Sequence, residues 1–455
     1  MVNTFQDKLV LVIVSELESK NILFVEDGNH GEYRPLSHEF VEEGIPFVRP
    51  PDLVNGRINL KECQKINTTA FKRVRKGIGQ GGDIVLTHNA TIGRVAITNE
   101  TDSTFVTNPQ TTVWRSNNNK IINNKYLYYF MCSAGFQEQL DFHKGRNATF
   151  DYVSLTKQRS LVIPILEIEI QKKIAHILST LDDKIELNRK MNQTLESMAS
   201  VIFKSWFVDF DPVHAKANCT DEAEIENIAK KLGISKAILD LFPSEFEESE
   251  LGMIPKGWEA TELSQVCKIQ SGYAFKSAWW QDTGVKVIKI KNIDGNRVNT
   301  LDCECVSEEI ATKNSNFKLS SGDFLIAMTG ATVGKVGVIY TLDEEYLLNQ
   351  RVGRFQPIKY YDEYVKIFAS SSKFFESIQG QAQGSAQPNI SAREIETVKI
   401  IKPNNEIMKA FSSLLNPFFS KILEHQGEIQ TLEKTRDTLL PKLLSGEIDV
   451  SELKI

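Results

Sequence analysis

Cysteine is scarce in this sequence, with six in 455 residues. Only Cys303 and Cys305 stand close together, with no second pair and no histidine beside them, while Cys63, Cys132, Cys219 and Cys267 are isolated. Structural zinc needs four such ligands in close pairs, so no metal site is expected and the thiols read as reduced and buried. Long apolar runs are also missing: nothing approaches the ~20 residues of a membrane span. The longest early run, Leu9 to Val14, is too short for a secretory-signal core and has no cleavage pattern, so a cytoplasmic location is expected. There is no P-loop, no His-Glu-x-x-His and no convincing pair of spaced carboxylates with a lysine. The sequence therefore gives no support for a motor, a metalloenzyme or a nuclease. His88, His143 and His176 have no partner visible in the sequence.

Two strings come near a catalytic motif. Gly77-Ile78-Gly79-Gln80-Gly81-Gly82 has the G-x-G-x-x-G spacing of a nucleotide or S-adenosylmethionine loop. Such a loop needs a strand before it and a helix after it, whereas here a basic segment, Lys72 to Lys76, precedes and strand-like Asp83 to Leu86 follows. Asn416-Pro417-Phe418-Phe419 resembles the Asn-Pro-Pro-Phe motif of adenine methyltransferases but lacks the second proline, and Phe418 falls on a helical stripe; a core or kink role is expected. No cofactor is expected in this chain.

Positive charge is in deficit, with a net −6, an unpromising balance for a DNA-binding protein until its distribution is read. From Asp209 to Glu262 thirteen Asp and Glu stand against five Lys, a balance of −8, so the rest of the chain carries +2. Arg57, Lys61, Lys65, Lys72, Arg73, Arg75 and Lys76 are opposed only by Glu62, which makes a local positive field for phosphates available. A plain solvated surface is the alternative.

The chain is written twice. Gly82-Asp83-Ile84-Val85-Leu86 returns as Gly322-Asp323-Phe324-Leu325-Ile326, and Ala90-Thr91-Ile92-Gly93-Arg94-Val95 as Ala331-Thr332-Val333-Gly334-Lys335-Val336, an offset of 240 to 241 residues. Asn108 matches Asn349 at the same offset, and Gly44 to Arg49 corresponds to Gly284 to Lys289. Each copy ends in a helical stripe of three- and four-residue steps with one extra four-step, a stutter. The first runs Ile170, Ile174, Ile177, Leu181, Ile185, Asn188, Asn192, Leu195, Ala199, Ile202, Trp206. The second runs Ile407, Phe411, Leu414, Phe418, Ile422, His425, Ile429, Leu432, Arg436, Leu439, Leu443.

A helix over most of Ile168 to Phe207 would be about 60 Å long at ~1.5 Å per residue, and two such stripes are expected to bury one another as a coiled coil. Asn188, Asn192, His425 and Arg436 are polar seam residues that either fix register or face solvent in part. Pro417 is expected to break or kink the second helix, leaving its regular part from Phe418, and Gly446 to end it. The ~150 residues before each helix read as short strands and loops, a mixed α+β domain each time. Between the copies, residues 209–249 read as an acidic linker with one helical piece, Glu222 to Leu241, followed by a loop.

Several strings together resemble type I restriction-modification specificity subunits. They are Phe203-Lys204-Ser205-Trp206-Phe207-Val208-Asp209-Phe210-Asp211-Pro212-Val213, Ile254-Pro255-Lys256-Gly257-Trp258, Thr329-Gly330-Ala331-Thr332-Val333-Gly334, Gly384-Ser385-Ala386-Gln387-Pro388-Asn389-Ile390-Ser391 and Leu443-Leu444-Ser445-Gly446-Glu447-Ile448. The resemblance covers essentially the whole chain. It implies an α+β fold with two similar mixed α/β target-recognition domains, separated by two long spacer helices packed as an antiparallel coiled coil, in a pseudo-two-fold repeat. The domains would be 1–165 and 250–402, the first spacer helix 166–208, and the second spacer helix with a tail 403–455. It also implies a non-catalytic subunit that binds double-stranded DNA. Two methyltransferase subunits would bring S-adenosylmethionine for adenine N6 methylation, and restriction subunits would bring ATP and Mg. The first copy departs from the pattern: Thr329 to Thr332 is matched by His88-Asn89-Ala90-Thr91, and Gly384 to Ser391 only loosely by Gly145 to Tyr152. Two other readings remain, a solitary adenine methyltransferase with diverged motifs and a non-catalytic coiled-coil scaffold.

Unlike reading domains imply an asymmetric target in two parts, with half-site centres roughly 10 bp apart if both domains approach one face of the duplex. Side chains with paired donors and acceptors read base edges. In the first domain the candidates are His88, Asn89, Thr91, Arg94, Lys144, Arg146, Asn147 and Tyr152. In the second they are Lys291, Asn292, Thr329, Thr332, Lys335, Gln350, Arg351, Gln387 and Asn389. For each, a loop-stabilising or phosphate-contacting role is the alternative. Arg57, Lys61, Lys72, Arg73, Arg75 and Lys76 are expected on phosphate. Phe203, Trp206, Phe207 and Phe210 form either a helix-packing cluster or a patch on which a methyltransferase subunit docks.

Overall fold

A computed structural model describes residues 9–146, 151–218, 222–340, 344–382 and 388–453. The chain forms two compact units, one of residues 1–184 with 432–455 and the other of residues 185–431. Each of the two long helices, Ile168–Phe207 and Asn405–Ser445, therefore contributes one part to each unit.

In the first unit the larger sheet has six strands, in the order Leu23–Asp27, Thr111–Ser116, Ile84–Thr87, Val95–Ile97, Arg57–Ile58, Leu53–Val54. A second sheet has the order Phe40–Val41, Gln64–Ile66, Ile45–Val48, Phe105–Thr107, Ile78–Gly79. The run Ile84-Val85-Leu86 is apolar throughout because both of its faces are covered. Ile84 and Leu86 join the core with Tyr126, Phe136 and the start of the long helix, while Val85 joins Val48 and Phe105 on the opposite side.

The second unit repeats this plan. Its larger sheet runs Cys267–Ser271, Val352–Pro357, Phe324–Ala327, Val336–Val338, Ile293–Val298, with its one parallel pairing at the same place as in the first unit. Phe324 and Ile326 face the core that holds Trp206 and Phe411; Leu325 and Ala327 face the smaller sheet. The repeated Gly-Asp is a turn capped by its own carboxylate. Asp83 accepts from the Gln80 N–H and Asp323 from the Ser320 N–H, both at 2.8 Å, while Gly82 and Gly322 hold φ of +85° and +93°. Arg115 and Arg354 supply the opposing charge in the two units.

Every stripe residue is buried or half-buried, and in both units the two helical segments run antiparallel. The polar seam residues are paired. In the second unit Asn192 Oδ1 lies 2.7 Å from His425 Nδ1, and Asn188 donates to Glu428 at 2.8 Å. In the first unit Asp182 accepts from Arg436 at 2.8 Å and from the Tyr129 hydroxyl at 2.7 Å.

Three expectations need correction. The second helix passes through Pro417 unbroken. A proline there loses one helical hydrogen bond, at a cost of about 3 kcal/mol. The helix is nevertheless held on both sides, by buried Phe411 and Leu415 before it and Ile422 after it, while Pro417 itself is exposed. The helical piece from Glu222 is divided into Glu222–Lys231 and Lys236–Asp240, with Gly233 at φ +69° between them. Residues 209–249 are also more than a linker. Val213, Leu239 and Phe242 are buried, Val213 and Phe242 join the core of the second unit, and the expected loop is a hairpin of Phe246–Ser249 with Gly252–Pro255.

Replacing Asp182 with Ala leaves a partly buried guanidinium and a hydroxyl without their shared acceptor. Chemical denaturation should show a loss of about 2 kcal/mol, and a double-mutant cycle with Arg436→Ala should give a coupling of about 1 kcal/mol. Additive single-site effects would show that the pair carries no coupling.

Candidate nucleic-acid interface

At one end of each larger sheet three strand ends meet, because the middle strand runs antiparallel to both neighbours. In the first unit these are the ends of Leu23–Asp27 and Ile84–Thr87 and the start of Thr111–Ser116. The loop leaving Thr87 is fixed by its backbone. The His88 N–H donates to Gln110 O at 2.9 Å, Val153 N–H to His88 O at 2.9 Å and Ala90 N–H to Asp151 O at 3.2 Å, while Asn89 bridges to Tyr152. The second unit makes the same set. Met328 N–H donates to Arg351 O at 3.0 Å, Ile390 N–H to Met328 O and Gly330 N–H to Pro388 O at 2.9 Å each, and Thr329 bridges to Asn389.

These bonds correct the sequence alignment of the two loops. His88 corresponds to Met328, Asn89 to Thr329, Ala90 to Gly330 and Tyr152 to Asn389, one residue away from the matching suggested by the shared Ala-Thr. Gly93 and Gly334 fall back into register, each N–H reaching the last residue of the preceding strand at 2.9 Å, so the second loop holds one extra residue. Ala90 takes φ +63° where Gly330 takes +76°, a left-handed conformation that an alanine adopts at a cost.

Many of the proposed contact residues come together here. In the first unit Asn89, Thr91, Arg94 and Tyr152 share the loop and its bridge; Thr91 and Arg94 are exposed, and the Tyr152 ring lies over Gly145. Arg146 lies in the adjoining hairpin, and Lys144 before it pairs with Asp141. In the second unit Gln350, Arg351 and Asn389 are exposed around the loop, Lys335 is half-buried, and the Thr329 and Thr332 hydroxyls are buried without a partner among the described residues. The turn Ile290–Asn292 lies beside Gly330–Thr332, bringing the exposed Lys291 near. Asn292 is 2% exposed and caps that turn, its amide donating to Asn299 O and Asp302 O, so it shapes the loop and does not face a ligand. Asn147 and Gln387 lie outside the described residues.

The basic run divides. Arg57 pairs with Asp183 on the long helix at 3.1 Å, and Arg73 forks onto Glu39, holding that carboxylate down to about 2. Lys61, Lys72, Arg75 and Lys76 are exposed. The aromatic cluster packs inward. Trp206 meets Phe411 and Phe242, Phe207 meets Phe411 and Trp258, Phe203 meets Tyr364, and Phe210 meets Phe246. Phe203, Phe207 and Phe210 also reach the wall of a cleft of about 1060 Å³ within the second unit. Among the described residues no group of three or more His, Cys, Asp and Glu is placed to hold a metal, and no helix is long and apolar enough to cross a membrane.

Sequence reasoning missed Asp27 and His30, which gather around His88. His88 is 6% exposed, and neither ring nitrogen has a hydrogen-bond partner among the described residues; Asp27 Oδ1 is 3.7 Å away and equally unpartnered. His30 lies 3.7 Å from the other Asp27 oxygen. Burial lowers the His88 pKa below its usual value and outweighs the attraction of Asp27. The folded first unit thus holds His88 neutral, while the unfolded chain takes up a proton near pH 6.5. This contribution to stability is full above about pH 6.5 and falls as the pH drops below it. Calorimetry from pH 8 to 5 should therefore show a shallower decline in Tm for His88→Met, the residue type found at the equivalent position, than for the unmodified chain. An unchanged slope would contradict the buried neutral imidazole.

Comparison with known proteins places this geometry in a family. The type I restriction modification DNA specificity domain matches the chain twice, over residues 25–197 and 255–434. The MjaIX specificity subunit of Methanocaldococcus jannaschii is 28% identical over 90% of this chain and 88% of its own length. The HindI specificity subunit of Haemophilus influenzae is 26% identical over 91% and 97% respectively. In fold, the chain resembles the S subunit of a type I restriction-modification system from M. genitalium, with a TM-score of 0.52 and 14% identity over 96% of both chains. With the family profile met once in each half, each match containing one copy of the loop cluster, this chain belongs to the type I restriction-modification DNA-specificity family.

Proposed function

We propose that this chain is the DNA-specificity subunit of a type I restriction-modification enzyme, a non-catalytic protein of the cytoplasm that recognises an asymmetric target in two parts. The observation that carries this reading is the loop cluster built twice on one backbone plan with different side chains: Asn89, Gln110 and Tyr152 stand where Thr329, Arg351 and Asn389 stand in the other unit. Equal frames with unequal side chains suit two unequal half-sites. Amide and guanidinium groups around each strand-end cluster offer donors and acceptors to base edges, and the exposed Lys61, Lys72, Arg75 and Lys76 offer charge to phosphates. Two methyltransferase subunits carrying S-adenosylmethionine would perform adenine N6 methylation on this subunit, and restriction subunits with ATP and Mg would join the same assembly. The mixed polar and apolar cleft edged by Phe207 and Phe210 is a surface on which a methyltransferase subunit would rest.

Mapping modified bases in DNA exposed to the complex reconstituted with its methyltransferase subunits tests this directly. The expected product is N6-methyladenine in a motif of two unlike parts separated by unspecified bases. A contiguous motif, or S-adenosylmethionine binding by the isolated chain, would overturn the assignment.

A further inference from the structure

The repeated asparagine has no role in the sequence reading, yet it sets up the same local device in both units. Asn108 and Asn349 stand three residues before the middle strands Thr111–Ser116 and Val352–Pro357, each largely buried. Asn108 Oδ1 accepts from the Gln110 N–H at 3.1 Å, and Asn349 Oδ1 from the Arg351 N–H at 3.3 Å. The asparagine N–H groups are themselves tied to Val48 O and Ile288 O at 3.0 and 3.1 Å, and the carbonyls of Gln110 and Arg351 receive the N–H groups of His88 and Met328. The residue two places after the asparagine is thus held by both of its backbone polar groups, beside the loop cluster, in an equivalent position in each unit.

What differs is the side chain. Arg351 is exposed, and its guanidinium makes no hydrogen bond or ion pair among the described residues. Gln110 is half-buried, with its Oε1 accepting from Asn108 Nδ2 at 3.1 Å. That bond settles which way the amide faces and leaves a second lone pair on Oε1 and the Nε2 hydrogens available. A glutamine can donate to a phosphate oxygen but releases no counterion there, so charge neutralisation is not what the shared frame serves in both units. Base reading, by contrast, uses both side chains: an arginine fork matches guanine O6 and N7, and a carboxamide matches adenine N6 and N7.

We infer that the second residue after this asparagine is a base-reading position in each unit, with Arg351 taking a guanine of one half-site and Gln110 an adenine of the other. The inference rests on the two-part reading proposed above. It is tested with the full chain in the reconstituted complex, by comparing methylation rates on duplexes varied one base pair at a time, for the unmodified chain, Arg351→Lys, Arg351→Gln and Gln110→Arg. Arg351→Lys keeps the charge and removes the fork, and thermal melting of each variant checks that it is folded.

The expected result is a loss of about 5- to 150-fold in discrimination at a single position for Arg351→Gln and for Gln110→Arg, with a smaller loss at the same position for Arg351→Lys. That position lies in one half-site for both Arg351 variants and in the other for Gln110→Arg, and Arg351→Gln moves the preference toward adenine. Retention of guanine discrimination by Arg351→Gln would overturn the inference. So would a uniform loss across all sequences with a salt slope flatter by about one, or a response of the same half-site to both positions. A contiguous motif for the unmodified chain would defeat the two-part reading and this inference together, whereas a split motif left intact by every variant would defeat this inference alone.

Discussion

The strand buried on both faces is the constraint on which the loop cluster of each unit depends. Ile84 to Leu86 and Phe324 to Ile326 are closed between helices on one side and a smaller sheet on the other. Neither strand can offer a side chain to a ligand until it leaves the sheet. At one end the Gly-Asp turn closes it, with the aspartate capping the chain and an arginine opposing its charge. The opposite end is where side-chain variety becomes affordable, and there the backbone of the following loop is pinned by the same hydrogen bonds in both copies. Rigid backbone with replaceable side chains is the physical basis for reading different sequences on one fold.

The paired helices impose a second condition. Leu and Ile at seam positions would tolerate a slip of one turn, because one apolar contact replaces another. Asn192 with His425, Asn188 with Glu428 and Asp182 with Arg436 do not tolerate it, since each slipped polar group would be buried without a partner at about 1–3 kcal/mol. The apolar residues supply the drive for pairing, and the polar ones select the register. The helices also belong to both cores: Ile174 and Leu178 complete the first unit, Phe203 and Trp206 the second.

Much of this was legible in the sequence, and the exceptions have physical causes. The two stripes were readable because a periodicity sustained over some forty residues has few other solutions, and their burial follows it throughout. Pro417 departs from its local propensity because buried Phe411, Leu415 and Ile422 hold the helix on both sides of it. The segment after Asp209 departs from a linker because Val213 and Phe242, scattered among its acidic residues, dock it on the core of the second unit. In the loops, the shared Ala-Thr attracted the alignment by one residue, whereas hydrogen bonds to Gln110 and Arg351 fix the correspondence. Arg73 and Asn292 look like ligand-facing groups until Glu39, 34 residues away in sequence, and the carbonyls of Asn299 and Asp302 are seen to hold them. Pairing across such distances is invisible to spacing, which is why the candidate residues were legible as a group and not one by one.

Each unit is proposed to contact its own part of the target through its own strand-end loops. Hydrogen-deuterium exchange on the reconstituted complex tests this most directly, using duplexes that carry the whole target or have either half scrambled. The whole target should slow exchange in residues 88–94 and 151–153 and also in 329–335 and 388–390. Scrambling one half should release one of these sets and leave the other protected. Release of both sets together, or protection confined to one set on the whole target, would contradict the account.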